Sequence, residues 1–274
     1  MKKITLLEKL LSEGWFANEN EARIWAMERK ILVNDEPVIS VSTKIFPDSA
    51  IRVKEYYKKK YVSKGGLKLE GALKDFDIDV SDMVVLDCGA STGGFTDCLI
   101  VHGAKKVYAV DVGFGQIAGK LLNCPKVENM ERTNLSDPKL LLLSPKPELI
   151  TLDLSYLSLK KAIPLCQNIL GTRGIIIALI KPLFEVESSE IRRSGVLTDA
   201  DTIQAVIVEL LLFFNDLGID VLKLTYSPIR GNTNTVEYFV ELSLHQDGVA
   251  TNYVSQEHIN YVVNESLKLE KFKK

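Results

Sequence analysis

The chain has 274 residues, with 34 Lys plus Arg against 36 Asp plus Glu (formal net charge −2) and 46% hydrophobic residues. That balance excludes a disordered or low-complexity chain and supplies apolar mass for one large α/β domain, alone or with a small companion. The longest apolar stretches, 174–180 and 210–214, are far shorter than the roughly 20 residues a membrane-crossing helix needs.

The N-terminal segment is basic: residues 1–68 hold 14 Lys or Arg and 9 Asp or Glu, so the remainder carries −7. A basic appendage on an acidic body suits a polyanion-binding module beside a working domain. Leu6, Leu7, Leu10 and Leu11 recur at helical spacing, and Gly14 is the expected stop. Asn18 with Glu21 opens a second helix holding Ala22, Ile24, Trp25, Ala26 and Met27. Short strands are expected at Ile31–Val33, Val38–Ile39 and Ile51–Val53, with a turn over Asn34–Pro37. Glu8, Lys9 and Glu13 interrupt any export signal core. Tyr56 to Tyr61 is a Lys-Tyr run that reads equally as an RNA contact or a solvated linker. It marks the expected boundary between a small domain, 1–60, and a larger one, 61–274.

Beyond the boundary, apolar runs at Met83–Asp87, Lys106–Asp111, Leu149–Asp153 and Gly174–Ile180 alternate with helical stretches. This is the pattern of a parallel sheet covered on both faces. Asp220–Thr225 and Val236–Leu244 follow each other without a long helix between, which implies an antiparallel edge. The helix Thr202–Leu217 carries a stripe of Ile203, Val206, Ile207, Leu210, Leu211, Phe213 and Phe214. It suits packing on a sheet far better than insertion into a bilayer.

The strongest local signal is the sequence 84–97, where Val84-Val85-Leu86-Asp87 leads into Cys88-Gly89-Ala90-Ser91-Thr92-Gly93-Gly94-Phe95. A strand ends in an acid and a small-residue loop opens a helix, at the sheet edge where open α/β folds bind ligands. No Gly-Lys-Ser/Thr follows, so this is no phosphate loop. It resembles the S-adenosylmethionine loop of Rossmann-like methyltransferases. Asp111, about twenty residues on, is placed to accept from ribose hydroxyls. The candidate cofactor residues are Asp87, Gly89, Ala90, Ser91, Thr92, Gly93, Gly94, Phe95, Asp111 and Val112. Four further charges sit at element ends: Lys68 just before the first core helix, Asp153 and Lys181 after apolar runs, and Glu237 before Tyr238. Charges that terminate buried strands at one rim suit catalysis more than packing.

Lys68, Asp153, Lys181 and Glu237 resemble the Lys-Asp-Lys-Glu tetrad of RNA ribose 2′-O-methyltransferases. More closely, the chain is similar to the TlyA or haemolysin A family of ribosomal RNA methyltransferases. The likeness rests on 61–69, 87–97, 109–116, Asp153-Leu154-Ser155-Tyr156-Leu157-Ser158-Leu159, Lys181-Pro182-Leu183-Phe184-Glu185, and Gly231-Asn232 leading to Glu237. It implies a Rossmann-like S-adenosylmethionine-dependent methyltransferase with a small N-terminal α+β RNA-binding domain, acting on cytidine riboses of ribosomal RNA in the cytoplasm. Arg23, Lys30, Lys58, Lys59, Lys60 and Lys64 are the candidate RNA contacts. Lys181 is expected nearest the hydroxyl as base or oxyanion stabiliser, oriented by Asp153 and Glu237, with Lys68 holding the ribose or depressing the pKa of its neighbour lysine.

Three positions depart from the family pattern: Thr5-Leu6-Leu7 stands for Arg-Leu-Asp, Lys64 for an arginine, and Leu183 for a glutamine. The rivals are a membrane-damaging haemolysin and an RNA-binding protein with an inactive methyltransferase fold. Cys88, Cys98, Cys124 and Cys166 show no metal or redox pairing, and three lie in or beside apolar runs as reduced thiols would. His102, His245 and His258 lack metal-ligand spacing and read as structural or surface residues, so no metal is expected.

Overall fold

The computed structural model describes residues 3–16, 18–53, 60–155, 157–231, 234–244 and 250–270. Tyr56, Tyr57, Lys58, Lys59, Tyr156, Asn232 and His245, singled out above, lie outside them. The chain divides into two compact units, Met1–Lys59 and Lys60–Lys274.

In the small unit, β1 (Ile4–Thr5) leads directly into α1 (Leu6–Ser12), and α2 spans Glu19–Met27. Thr5 caps α1: its hydroxyl accepts from the Glu8 amide at 3.1 Å, while its own amide donates to the Glu8 carboxylate at 2.6 Å. The departure from the family pattern at this position is therefore a reciprocal helix cap. Gly14, at φ +68°, sits just beyond the last turn, and Asn18 caps α2 by accepting from the Glu21 amide at 3.0 Å. The remaining strands are β2 (Ile31–Val33), β3 (Glu36–Pro37), β4 (Lys44–Ile45) and β5 (Ile51–Val53). They pair as β3-β2-β5 and β1-β4. The expected strand at Val38–Ile39 is displaced to Glu36–Pro37. Asn34 and Asp35 both take positive φ (50° and 65°), so a two-residue turn already reverses the chain and sets Glu36 opposite Val33. Leu6, Leu10, Phe16, Ala22, Ala26, Ile31 and Val53 fill the core of this unit.

The large unit is built on β6 (Val84–Cys88), β7 (Lys106–Val110), β8 (Val127–Met130), β9 (Leu149–Leu152), β10 (Gly174–Ile180), β11 (Asp220–Tyr226) and β12 (Tyr238–Leu244). They form one sheet in the order β11-β12-β10-β9-β6-β7-β8. The five strands from β10 to β8 are parallel, and β12 runs antiparallel to both β10 and β11. The expected antiparallel edge is thus present. The seventh strand, β8, was not legible, because its residues are half-buried or exposed and carry no apolar run.

Alternate residues feed two cores, as the strand period dictates. Leu86, Ile150, Ile176 and Ala178 pack on one face with α6 (Leu159–Leu170), α9 (Ala200–Asp216) and α10 (Gln256–Leu267). Val85, Leu149, Ile177 and Phe239 pack on the other with α3 (Gly65–Phe76) and α4 (Gly94–Val101). Ile203, Val206, Ile207, Leu210, Leu211 and Phe214 of α9 are buried against the sheet, as expected of a packing stripe. Among the described residues no helix is long and apolar enough to cross a membrane.

Lys68 lies inside α3, not before it. The two opening glycines disguise the helix start, yet Gly66 is required there. A Cβ at this position would stand 2.3 Å from the Tyr61 ring, which is buried beneath the helix. At the far end Lys223 donates to the Phe76 carbonyl and Thr225 to Asp75 at 2.6 Å, fixing α3 against β11.

Removing the Thr5 cap costs about 1 kcal/mol. In Thr5→Ala, amides of α1 are expected to exchange about fivefold faster in native-state hydrogen exchange, with the β9 amides unchanged.

Candidate active site

All parallel strands present their carboxyl ends on one rim of the sheet, and β12 begins there because it runs the other way. Asp153 follows β9, Lys181 follows β10, and Glu237 precedes β12. Two ion pairs result. Lys181 Nζ lies 2.6 Å from Asp153 Oδ1 and donates to Ser155 Oγ at 3.3 Å. Lys68 Nζ lies 2.5 Å from Glu237 Oε2. The pairing differs from the expectation in one respect: Glu237 partners Lys68, so only Asp153 directly orients Lys181.

Both lysines are nearly buried, and Glu237 is 5% exposed. Burial pushes the Glu237 carboxyl above the usual carboxylate range. Lys68 opposes that push, the Asp153 charge adds to it, and Lys181 again lowers it, so the four groups share one field. Gly231 makes room for this acid, since a Cβ there would meet Glu237 Oε1 at 2.4 Å.

The 89–95 loop lies beside the pairs. Gly89 (φ +84°) and Gly93 (φ +90°) are left-handed. What a side chain would strike is the protein itself: the Asp153 carbonyl at 2.4 Å from a Cβ on Gly89, and Leu121 Cδ1 at 2.2 Å from one on Gly93. The glycines therefore bring the loop against the end of β9, before any question of ligand approach.

The structure sorts the candidate cofactor residues. Asp111 Oδ2 accepts from the Ser91 amide at 2.8 Å and Oδ1 from the Gly113 amide at 2.6 Å, so the acid after β7 shapes the loop mouth. Ser91, Thr92 and Val112 are exposed, and Gly89 is half-buried. Ala90, Gly93, Gly94 and Phe95 are buried and form the wall behind, with Phe95 packed on Phe239 at 6.0 Å between ring centroids. Asp87 is fully buried and turned inward, accepting from Thr96 Oγ1 at 2.6 Å and Thr151 Oγ1 at 2.9 Å. It joins β6 to α4 and β9 and presents no oxygen to the cleft. Burial raises its pKa to about 6 against the lowering effect of the two threonines, and the Asp153 charge raises it further.

Asp97 closes the loop motif. It is buried in the first turn of α4, accepts from the Val62 amide at 2.8 Å, and pairs with Lys120 at 2.8 Å. Leu183, in place of the family's glutamine, is buried in the core.

Of the candidate RNA contacts, Arg23 pairs with Glu19, Lys30 with Glu28, and Lys60 with Glu70. Lys30 also lies over the Trp25 ring at 5.2 Å, and Lys64 immediately precedes α3. Lys58 and Lys59 lie outside the described residues. All four cysteines are free, with Cys88, Cys98 and Cys166 buried. His102 donates from Nδ1 to the Cys98 carbonyl, and His258 from Nε2 to the Leu224 carbonyl, both structural roles.

A parallel sheet with an antiparallel β12 insertion, a glycine loop after its central strand and an acid after the next defines a Rossmann-like methyltransferase. The family model for FtsJ-like methyltransferases matches residues 61–244, and the chain belongs to that family. YqxC of Bacillus subtilis, described as a candidate rRNA methyltransferase, is 34% identical over 275 residues, spanning 100% of this chain and 97% of that protein. The 16S/23S rRNA (cytidine-2′-O)-methyltransferase TlyA of Mycobacterium tuberculosis is 32% identical over 239 residues, 87% of this chain and 89% of its own. A solved structure from Streptococcus thermophilus, described as a candidate hemolysin, superposes with a TM-score of 0.71 at 32% identity over 98% of this chain and 97% of that one.

Asp87 gives a pH test. Its folded pKa, about 6, exceeds the ordinary 3.8, so the native state holds a proton that the unfolded chain releases between those values. Its contribution to stability is greatest below pH 3.8 and is lost as pH rises through 6. The unfolding free energy of the wild type relative to Asp87→Asn is expected to fall by roughly 3 kcal/mol between pH 4 and 7. Urea titrations of both proteins across that range check this.

Proposed function

We propose that this chain transfers a methyl group from S-adenosylmethionine to the 2′-hydroxyl of a cytidine ribose in ribosomal RNA, in the cytoplasm. The observation that carries the reading is the pair of lysine–carboxylate contacts, Lys181–Asp153 and Lys68–Glu237, on the sheet rim beside the glycine loop. The names of the TlyA relatives support both the substrate and the reaction.

The residues present fit an adenosyl donor. The loop from Gly89 to Phe95 contains no basic side chain, and Asp111 stands at its mouth. A carboxylate there repels a pyrophosphate and suits ribose hydroxyls, because each of its oxygens keeps a second acceptor position. Gly89, Ser91, Thr92, Asp111 and Val112 would line the donor site, with Asp87, Ala90, Gly93, Gly94 and Phe95 holding its shape. When bound, the donor supplies an electrophilic methyl group on a positively charged sulfur.

Lys181 Nζ carries three donors, and Asp153 and Ser155 engage two. The third can hold the ribose oxygen in line for attack and stabilise the negative charge that grows on it. Asp153 balances the ammonium and can accept the proton that the ribose hydroxyl loses as its oxygen takes the methyl group and the sulfur keeps the electron pair of the broken bond. Lys68 neutralises Glu237, so that the buried acid does not repel the developing oxyanion. Among the described residues no cluster of three or more His, Cys, Asp or Glu side chains could hold a metal ion.

Arg23, Lys30, Lys58, Lys59, Lys60 and Lys64 would meet the RNA. The pairs formed by Arg23, Lys30 and Lys60 lie at the surface, where such contacts contribute about 0–1 kcal/mol, so phosphates can replace the carboxylates at little cost.

Methyl transfer from radiolabelled donor to ribosomal subunits lacking the modification tests the reading, with Lys181→Ala alongside. Label in ribose is expected, with the single-turnover rate falling about 10²–10⁴-fold in the variant. A variant near the wild-type rate removes Lys181 from the chemistry. Donor and RNA binding without transfer makes this an RNA-binding protein on an inactive fold, and absence of donor binding overturns the proposal.

A further inference from the structure

The turn after Lys181 contains α7 (Pro182–Glu185), whose final residue has no part in the chemistry above. Glu185 nevertheless has a specific pair of partners. Its Oε2 accepts from Ser158 Oγ at 2.6 Å and its Oε1 from the Leu159 amide at 2.9 Å. Ser158 is the N-cap of α6 and closes the segment that begins with Asp153. Both partners donate hydrogen, and an acceptor-only carboxylate matches them.

We propose that Glu185 is a positioning residue, a clamp that holds the Asp153 loop and the Lys181 loop at the spacing their ion pair requires. The ladder between β9 and β10 ends at Leu152 opposite Ala178; beyond it β12 still holds β10 as far as Ile180 and the Asp153 amide donates to the Cys88 carbonyl at 3.0 Å, but the two strand ends are no longer paired with each other. Glu185 restores the link further out. The contacts form a closed ring: Asp153 runs along the chain to Ser158, across to Glu185, back along α7 to Lys181, and across to Asp153. The return limb is short and stiff. Pro182 fixes φ at its first position, the Phe184 amide donates to the Lys181 carbonyl at 2.8 Å, and Leu183 is anchored in the core. A change at Glu185 therefore reaches Lys181 within one helical turn.

The proposal rests on the methyl-transfer reading for its kinetic consequence but not for its structural one. Glu185→Ala, Glu185→Gln, Ser158→Ala and the Ser158→Ala/Glu185→Ala double variant of the full chain distinguish the two. With donor and subunits saturating, Glu185→Ala is expected to lose on the order of 100-fold in single-turnover rate, the scale of a small misplacement of reacting groups. Its donor affinity by calorimetry should stay within about threefold of wild type, since the glycine loop is untouched.

Glu185→Gln should keep most of the rate. Its amide oxygen can still accept from Leu159, and the Ser158 hydroxyl can turn to accept from the amide nitrogen. The double variant should be no slower than Glu185→Ala, because both changes break one link. A wild-type rate in Glu185→Ala overturns the clamp. So does a glutamine variant as slow as alanine, which would assign the effect to charge, or losses that simply add.

Amide hydrogen exchange gives a readout that needs no catalysis. Segments 157–160 and 183–186 should both exchange faster in Glu185→Ala and in Ser158→Ala, while β6 is unchanged. If the wild type itself transfers nothing, the functional reading fails while this measurement still judges the clamp: unchanged exchange overturns it. Should Glu185→Ala not fold, Ser158→Ala and the glutamine variant carry the same comparison.

Discussion

The burial of Glu237 is the constraint from which the site follows. A carboxylate 5% exposed cannot stay ionised without an opposite charge, and stranding such a charge costs about 3–5 kcal/mol. Lys68 must therefore reach it, which requires α3 to start before residue 68. That start is possible only because Gly66 lets the helix settle on Tyr61, and the acid itself fits only because Gly231 has no side chain. Two glycines, one buried tyrosine and the far-end anchors of α3 at Asp75 and Phe76 thus serve a single ion pair. The second pair, Lys181–Asp153, is more accessible and is free to meet a substrate.

Much of this was legible in the residues. The strands β6, β7, β9 and β10 announced themselves as apolar runs because both of their faces are buried. The acids and lysines at their ends stood out by contrast. The caps at Asn18 and Gly14 obey local chemistry and were readable for that reason. What escaped depended on tertiary context. The edge strand β8 has no apolar run, the start of α3 is disguised by two poor helix formers, and the turn at Asn34–Asp35 needed one residue pair where four were expected. Which lysine meets which carboxylate was also beyond the sequence, since four charges on one rim allow two pairings and only the placement of α3 decides between them.

The glycine loop shows how a correct motif can rest on an incomplete reason. The loop stands at the sheet edge where open α/β folds bind ligands, yet the space beside Gly89 is taken by the Asp153 carbonyl and that beside Gly93 by Leu121. Asp87 was expected to face the cofactor and instead binds two threonines inside the protein. The motif thus records an internal joint between the loop and the strand that carries Asp153. That joint is made at the end of β9 itself, ahead of the segment that Glu185 holds.

The direction of β12 has a broader consequence. β7, β9 and β10 deliver Asp111, Asp153 and Lys181 to the rim from their ends, after the whole strand has been laid down, whereas β12 delivers Glu237 from its start. The segment between β11 and β12 is therefore an entry ramp that sets the acid down before its strand begins, and Gly231, where a side chain would meet Glu237, is the point at which its composition is constrained.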